Sequence, residues 1–259
     1  MKKTCCLLSA VGLMTWSVSC ITVPPSKTNS YFYVIPVVIK QKVKTVVIPE
    51  VQLPFKSATS EAISRQFLDK VAFKLDAAGF KVLPSDVFTT VNEGMKKRVG
   101  DLYDPKTGKI YSEKAQAVWK HTLAELKTKY QVDAIVSCYV DVFNVEFSHG
   151  SAFWHGIEYS VGSNAYSYNG TVGVLSLVFA LIDVQGTELY RSFGGLQPEA
   201  QIQNGAFVKM SSDELLTDQQ RNDKAVEVAM ESFLLNMAQA GLQSAKPLDM
   251  KSLIRNDAW

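Results

Sequence analysis

Apolar side chains occupy both sets of alternating positions at the start of residues 132–147, a long run of β-branched and aromatic residues. In an extended strand Ile135 and Tyr139 lie on one side, and Val136 and Val140 lie on the other. This pattern is typical of a strand covered on both faces, so we predict a central strand. The even positions become polar towards the end of the run, and we expect one face to reach water there.

Four segments have apolar residues at helical spacing. In residues 57–79, Ile63, Phe67, Val71 and Leu75 recur at every fourth position, which predicts a helix with one buried face. The same reasoning predicts helices over residues 85–99, 112–130 and 218–240, the last two long and the last closed by Gly241.

Short β-prone segments at residues 45–49 and 80–84 flank the first long helix. A strand, a helix and a strand in this order form a crossover unit, and we expect its two strands to be parallel neighbours. Residues 171–183 and 187–193 predict an antiparallel hairpin around a turn that contains Gly186. We therefore predict an α/β fold: one three-layer domain over residues 31–241, with a mixed sheet and helices on both faces.

Three segments give weaker patterns. Residues 31–39 are apolar but contain Pro36, which predicts an edge strand or an extended lead-in. Lys40, Lys42 and Lys44 then lie on one face of an extended segment, as a solvated edge or as a stripe that contacts anionic lipid head groups. Residues 148–169 and 196–210 have no regular period and are predicted to be loops.

The first residues have the pattern of a secretory signal. Lys2 and Lys3 precede an apolar run that is too short to span a membrane. The signal ends in Ser17-Val18-Ser19-Cys20, which resembles the lipobox of bacterial lipoproteins and implies that Cys20 is lipidated. The alternative is an ordinary signal cleaved near Ser19, which would leave a soluble periplasmic protein.

Lipidation divides the chain into four parts. Residues 1–19 are the signal peptide, residues 20–30 a Pro-containing tether, residues 31–241 the domain and residues 242–259 a C-terminal tail. Ile21 follows the lipidated cysteine, and in the lipoproteins that the lipobox resembles this implies sorting to the outer membrane. We therefore expect a lipid-anchored outer-membrane protein that faces the periplasm.

Charge and cysteine content limit the classes of function. The whole chain has a formal net charge of +2, and the signal carries Lys2 and Lys3, so the mature chain is neutral. Neutrality argues against nucleic-acid binding. Cys138 is then the one cysteine inside the domain, and we interpret it as a small buried hydrophobe rather than a catalytic thiol.

Motifs for metal binding, nucleophilic catalysis and phosphate binding are missing from the sequence. His149 and His155 are six residues apart, a spacing that does not present both rings to one ion on a helix or a strand, so we interpret them as loop histidines. We predict no metal, no cofactor and no enzymatic activity.

The segment 148–169 is the best candidate for a binding surface because it is rich in aromatic residues. Trp154, Tyr159, Tyr166 and Tyr168 would form a patch for a protein partner if they are exposed, since Tyr and Trp bury a large area at low entropic cost. The alternative is that these rings pack over the open end of the sheet.

Four structural segments carry a resemblance to a known superfamily. They are TVVIP (45–49), GFKVL (79–83), VDAIV (132–136) and LIDVQGTEL (181–189). With the lipobox, they resemble the periplasmic α/β domain of the curli-secretion-channel lipoproteins, of the lipoprotein activator of a penicillin-binding protein, and of related small outer-membrane lipoproteins. The likeness covers most of residues 44–241.

This resemblance implies a non-enzymatic envelope protein that acts by contact, as an accessory or assembly factor for an outer-membrane or periplasmic complex. The alternative that it implies is an oligomeric subunit of an outer-membrane secretion channel, which makes homo-oligomerisation possible. Such a channel needs two hairpins of alternating apolar and polar residues, and residues 148–169 lack that alternation. A periplasmic cell-wall enzyme is a third interpretation, which would need converging carboxylates or a perturbed histidine.

Overall fold

The computed structural model describes residues 29–161, 169–203 and 206–245. The helices are α1 (Pro36–Lys42), α2 (Ser60–Ala77), α3 (Ser85–Val99), α4 (Ser112–Tyr130) and α5 (Gln219–Ala245). The strands are β1 (Ser30–Phe32), β2 (Thr45–Val47), β3 (Lys81–Leu83), β4 (Ala134–Ser148), β5 (Ser151–Trp154), β6 (Ile157–Ser160), β7 (Gly170–Asp183), β8 (Glu188–Pro198), β9 (Ala200–Gln203) and β10 (Ala206–Lys209).

The long antiparallel pair β4–β7 is the centre of the sheet. Its register runs without interruption from Ala134 opposite Asp183 to Phe147 opposite Gly170. β8 pairs with the other edge of β7, and the sheet order is β1-β8-β7-β4-β2-β3, with the β5–β6 hairpin continuing from β4. β9 and β10 form a separate two-stranded sheet.

The predicted α/β class is wrong, because the eight-stranded sheet is dominated by antiparallel pairs. Among the described residues, parallel pairing consists of three residue pairs between β2 and β3, two between β2 and β4, and one isolated bridge between Gln52 and Tyr139. By contrast, 14 of the 15 residues of β4 pair with the antiparallel strand β7. The apolar residues on both faces of β4 predicted a central strand covered on both sides, and helices do cover both faces of its first half. Its long partner β7 is antiparallel, so this pattern does not require a parallel sheet.

One face of the sheet carries the largest hydrophobic core, which α1, α2 and α5 cover. The predicted inward residues of α2 are all buried there. Even-numbered residues of β4 and odd-numbered residues of β7 supply the sheet side of this core: Val136, Cys138, Val140, Leu175, Leu177, Phe179 and Leu181.

The other face is covered by two different groups of elements. At the start of β4, α3 and α4 pack on Val47 and Ile135 through Phe88, Leu123 and Leu126. At the far end of β4 and β7, the β5–β6 hairpin and β9 cover Phe147, Val172 and Val174. The even-numbered residues Val142, Asn144 and Glu146 are exposed at this far end, so the prediction that one face of β4 reaches water is confirmed.

α5 packs closely on β8 at Gly194. A Cβ atom added to Gly194 would overlap the backbone carbonyl oxygen of Ala225. The glycine therefore lets the helix backbone approach the strand. The predicted strand ended at residue 193, before Gly194 and Gly195, but β8 continues through both glycines to Pro198.

Several local predictions are wrong. Residues 36–42 form α1 rather than an extended segment, so Lys40 and Lys42 are on a helix. Residues 148–169 and 196–210 contain the β5–β6 and β9–β10 hairpins and the end of β8 instead of loops. α5 passes Gly241 and reaches Ala245. The signal, Cys20 and most of the tether lie outside the described residues, as does the tail from residue 246.

Candidate functional site

Two hairpins, β5–β6 and β9–β10, project from the far end of the β4–β7 pair, and we call them the crown. They are joined by a hydrogen bond from the backbone N–H of Ile202 to the carbonyl oxygen of Val161, with 2.8 Å between N and O. The crown includes the described part of the aromatic segment that the sequence indicates as a binding surface.

Two His-Gly pairs build the β5–β6 unit. His149 and Gly150 connect β4 to β5, and His155 and Gly156 connect β5 to β6. All four residues have positive φ values between 41° and 83°. Two-residue hairpin connections of this kind need positive φ at both positions, and glycine adopts it at little cost. The six-residue spacing of the histidines therefore reflects two successive turns.

Trp154 anchors the hairpin to the sheet. Its side chain is 5% exposed, and its indole Nε1–H donates a hydrogen bond of 3.3 Å to the carbonyl oxygen of Leu175. The register of β7 and β8 shifts between Val174 and Ser176, so Leu175 lies at a bulge.

His155 secures the tip of the same hairpin. Its Nδ1 lies 2.8 Å from the hydroxyl oxygen of Ser176, and its ring stacks on Phe193 at 4.6 Å and meets Phe143 edge-on at 4.9 Å. Burial among these rings lowers the pKa of His155 to about 4, so the imidazole is neutral at neutral pH. A Ser–His contact is the first element of a nucleophile-and-base pair, but Ser176 is fully buried, so its hydroxyl is a structural partner here.

Tyr159 lies opposite Ala152, on the same face of the hairpin as Trp154, and is half-buried. The Tyr159 ring is 6.2 Å from the Trp154 ring, and the guanidinium carbon of Arg221 lies 4.7 Å from the Tyr159 centroid. The Arg221 Nη1 also donates a hydrogen bond of 3.4 Å to the Tyr159 hydroxyl oxygen. Tyr159 thus connects the crown to the beginning of α5 through a cation–π contact.

The exposed apolar residues of the crown are different from those that the sequence indicated. Phe153 is 61% exposed, Phe207 is 51% exposed and Val208 is 41% exposed. Phe153 points away from the sheet because it alternates with the buried residues Ala152 and Trp154. All four residues of β10 are exposed, and among the described residues β10 pairs with β9 alone.

The predicted site residues therefore have different positions. Trp154 is buried, as in the alternative in which the rings pack over the sheet, and Tyr159 is half-buried. Tyr166 and Tyr168 lie outside the described residues. Phe153 and Phe207 were missed, although the alternation of Phe153 with Ala152 and Trp154 was a signal in the sequence. Cys138 is buried, and burial raises the pKa of its thiol to about 12.

A further concave surface lies outside the crown. An open groove between α3 and α4 contains Arg98, His121 and Lys129, and its carboxylate Glu125 forms an ion pair of 3.6 Å with Arg98. The described ranges contain no cluster of three or more metal-ligating side chains from His, Cys, Asp and Glu. Within these ranges, no helix has the length and apolar character needed to cross a membrane.

The solved structures that resemble this chain include two PelC dodecamers, both distant neighbours. No family model matches the chain, and no curated protein matches its sequence. A variant PelC dodecamer from Paraburkholderia phytofirmans has 12% identity and a TM-score of 0.32, over 74% of this chain and 89% of the PelC chain. A second PelC dodecamer from the same organism has 10% identity and the same TM-score, over 73% and 86%. These low TM-scores assign neither a fold nor an assembly to this chain, and homo-oligomerisation stays a prediction.

Proposed function

We propose that this chain is a non-enzymatic, lipid-anchored envelope protein that acts by contact, as an accessory or assembly factor for an outer-membrane or periplasmic complex. The crown is the contact surface, and a folded periplasmic or outer-membrane protein is the partner. Cys20 carries the lipid, and the domain faces the periplasm.

The observation that supports this proposal is the exposure of Phe153, Phe207 and Val208 on two adjacent hairpins. Large apolar side chains that remain exposed together mark surfaces for protein partners. Aromatic residues are also enriched among the residues that contribute most to binding. Trp154 and Tyr159 pack behind Phe153 and hold the hairpin in place, so their contribution to binding is indirect.

One edge of β10 pairs with no other strand of the described residues and adds a second means of recognition. Each of its residues is exposed, and an edge strand offers backbone N–H and C=O groups for another strand. Phe207 packs edge-on against Phe147, with 5.6 Å between the ring centroids, so β10 is positioned by the sheet rather than extended freely into water.

Photo-crosslinking in intact cells tests the crown directly. A photoreactive amino acid in place of Phe153 should give an adduct of defined mass with another envelope protein. The same probe combined with Phe207→Ser should reduce the yield by about tenfold, since the loss of one central aromatic residue costs more than a factor of ten in affinity. Phe73→Ser is the matched control, because Phe73 is 73% exposed on α2, outside the crown. Equal yields in the two variants would contradict the proposal.

Two further measurements separate the alternatives. Palmitate labelling that is lost on Cys20→Ala supports the anchor, whereas labelling that persists contradicts it. Light scattering of the protein in mild detergent gives its mass. A ring of many subunits would favour the secretion-channel subunit over the accessory protein.

A further inference from the structure

The end of the sheet opposite the crown carries exposed apolar residues beside lysines, and we call it the base. Its apolar residues are Ile35, Tyr33 and Leu242, with 67%, 59% and 72% of each exposed. Its lysines come from four elements or their flanking residues: Lys40, Lys42, Lys44, Lys81 and Lys127. We infer that the base rests on an anionic lipid bilayer and orients the domain with the crown away from the membrane.

A chain of contacts places the apolar residues and the lysines together. The backbone N–H of Tyr33 donates to the carbonyl oxygen of Leu189 at the start of β8, and Ile35 then begins α1. Lys40 on α1 donates through Nζ to the carbonyl oxygen of Ala78, with 2.8 Å between N and O. Its Cε lies 4.0 Å from the position of a Cβ on Gly241, which is the neighbour of Leu242.

The remaining lysines join the same surface through the first residues of the strands. The backbone N–H of Lys81 donates to the carbonyl oxygen of Lys44 at 2.8 Å. The backbone N–H of Lys44 donates to Asp133 Oδ2, and Lys127 Nζ donates to Asp133 Oδ1. The base is therefore a continuous surface from α1 across β2 and β3 to the end of α4.

The carboxylates at this end do not cancel the lysines. Asp133 forms an ion pair with Lys127. Asp183 accepts hydrogen bonds from the backbone N–H groups of Gln185 and Thr187. Glu188 forms a two-hydrogen-bond ion pair with Arg191. Asp76 is exposed at the end of α2. Lys42, Lys44 and Lys81 are exposed as well, and they leave an excess of positive charge on this surface.

This combination fits a lipid surface better than a protein. Apolar side chains and tyrosine enter the head-group region, while lysines on the same face attract anionic lipids. Each lysine near an anionic surface contributes about a fivefold increase in binding. The inference rests on the proposed function for one point: a lipid on Cys20 keeps residue 29 within about 30 Å of the bilayer, because nine residues cannot extend further. Asn29 lies beside Gly156 of the crown, so this tether allows the base to reach the bilayer, while the lysines and exposed apolar residues of the base select that orientation.

Lipid photo-crosslinking tests the orientation. The full chain, purified from membranes, is reconstituted into vesicles of neutral or anionic lipid, with a photoreactive amino acid in place of Ile35 or, as the control at the opposite end, Phe153. We expect lipid adducts from position 35 in anionic vesicles, with little reaction from position 153. High salt should reduce these adducts, and Lys42→Glu with Lys81→Glu should reduce them by more than tenfold.

Several outcomes would overturn the inference. The first is equal lipid labelling at positions 35 and 153. The second is the same yield of lipid adducts from position 35 in neutral and in anionic vesicles. The third is an adduct from position 35 to protein instead of lipid. Palmitate labelling of the wild type and of Cys20→Ala tests the lipid anchor, independently of the orientation. A chain that is anchored through Cys20 but shows no lipid contact at position 35 would contradict the orientation alone and leave the proposed function standing.

Discussion

The imidazole Nδ1 of His155 and the hydroxyl oxygen of Ser176 are 2.8 Å apart, and this contact joins the tip of the crown to the middle of β7. It forms where a residue with a φ of 41° turns the chain between β5 and β6. Phe193 stacks on the imidazole ring and Phe143 meets it edge-on, so the ring is largely buried.

Acid should loosen this contact. The pKa of His155 is about 4 in the folded chain against an ordinary 6.5, because burial disfavours the charged imidazolium. The neutral form therefore stabilises the fold above pH 6.5, and this contribution is lost as the pH falls from 6.5 to 4. We expect the free energy of unfolding to fall by about 2 kcal/mol over this interval. Urea unfolding at a series of pH values measures it.

Two variants control this prediction. His155→Asn tolerates the positive φ and carries no titratable ring, so the unfolding free energy should be lower at neutral pH and change less between pH 6.5 and 4. His121→Gln removes an exposed imidazole outside this contact and should leave the unfolding free energy at neutral pH close to that of the wild type. A His155→Asn protein with the wild-type slope would disprove the assignment to His155.

Trp154 and Phe153 are neighbours with opposite environments, which gives a matched pair. Trp154→Phe removes the donor to the Leu175 carbonyl in a buried site and should lower the unfolding free energy by about 1 to 2 kcal/mol. Phe153→Ala should change it by less than about 0.5 kcal/mol, since Phe153 is exposed. Equal effects in urea unfolding would show that the hairpin is not held through Trp154.

Gly194 should be intolerant of any side chain. Gly194→Ala would push α5 off β8 because its Cβ overlaps the Ala225 carbonyl oxygen, and we expect a loss of about 3 kcal/mol in thermal or urea unfolding. Gly94→Ala is the control: its Cβ would meet open space on α3, and it should raise stability by about 0.5 kcal/mol. A Gly194→Ala protein of normal stability would mean that the helix lies farther from the strand.

Asp133 should matter for stability more than its partial exposure suggests. Burial alone would raise its pKa, but the side chain of Lys127 and the backbone N–H groups of Thr45 and Lys44 outweigh burial and hold the pKa below its ordinary value. Its contribution is thus present above the ordinary pKa and is lost as the pH falls through the folded one. Asp133→Asn should cost about 1 to 2 kcal/mol at neutral pH. Asp69→Asn, on the exposed face of α2, should cost almost nothing in the same unfolding experiment.

Long periodic segments were predictable because burial alone decides their pattern. α2 and α4 match the apolar spacing read from the sequence, and the β7–β8 turn lies where Gly186 indicated it. β4 is covered on both faces at its start, as predicted, but its pattern does not say whether its neighbours are parallel or antiparallel. Strand direction is set by connections and long-range pairing, and the fold class was therefore wrong.

Short helices and hairpins were missed because the same residues can indicate more than one local structure. Pro36 within a β-prone run was interpreted as a sign of an edge strand or an extended lead-in, yet proline at the first helical position favours a helix. The two His-Gly turns were visible in the sequence but were weighed as possible metal ligands rather than as hairpin turns. Gly194 and Gly195 were interpreted as the end of a strand, although their small size serves close packing of α5 and Ile157.

The two ends of the β4–β7 pair rest on cores of very different size. Of the residues that the structure describes, twenty-nine buried ones form the cluster beneath α1, α2 and α5, and seven form the cluster beneath the crown. Local opening of the crown should therefore need much less free energy than opening of the rest, and its backbone amides should exchange with solvent first. A partner bound to the crown would slow this exchange. Deuterium uptake by the backbone amides of β5, β6, β9 and β10 alone therefore reports whether the crown is occupied.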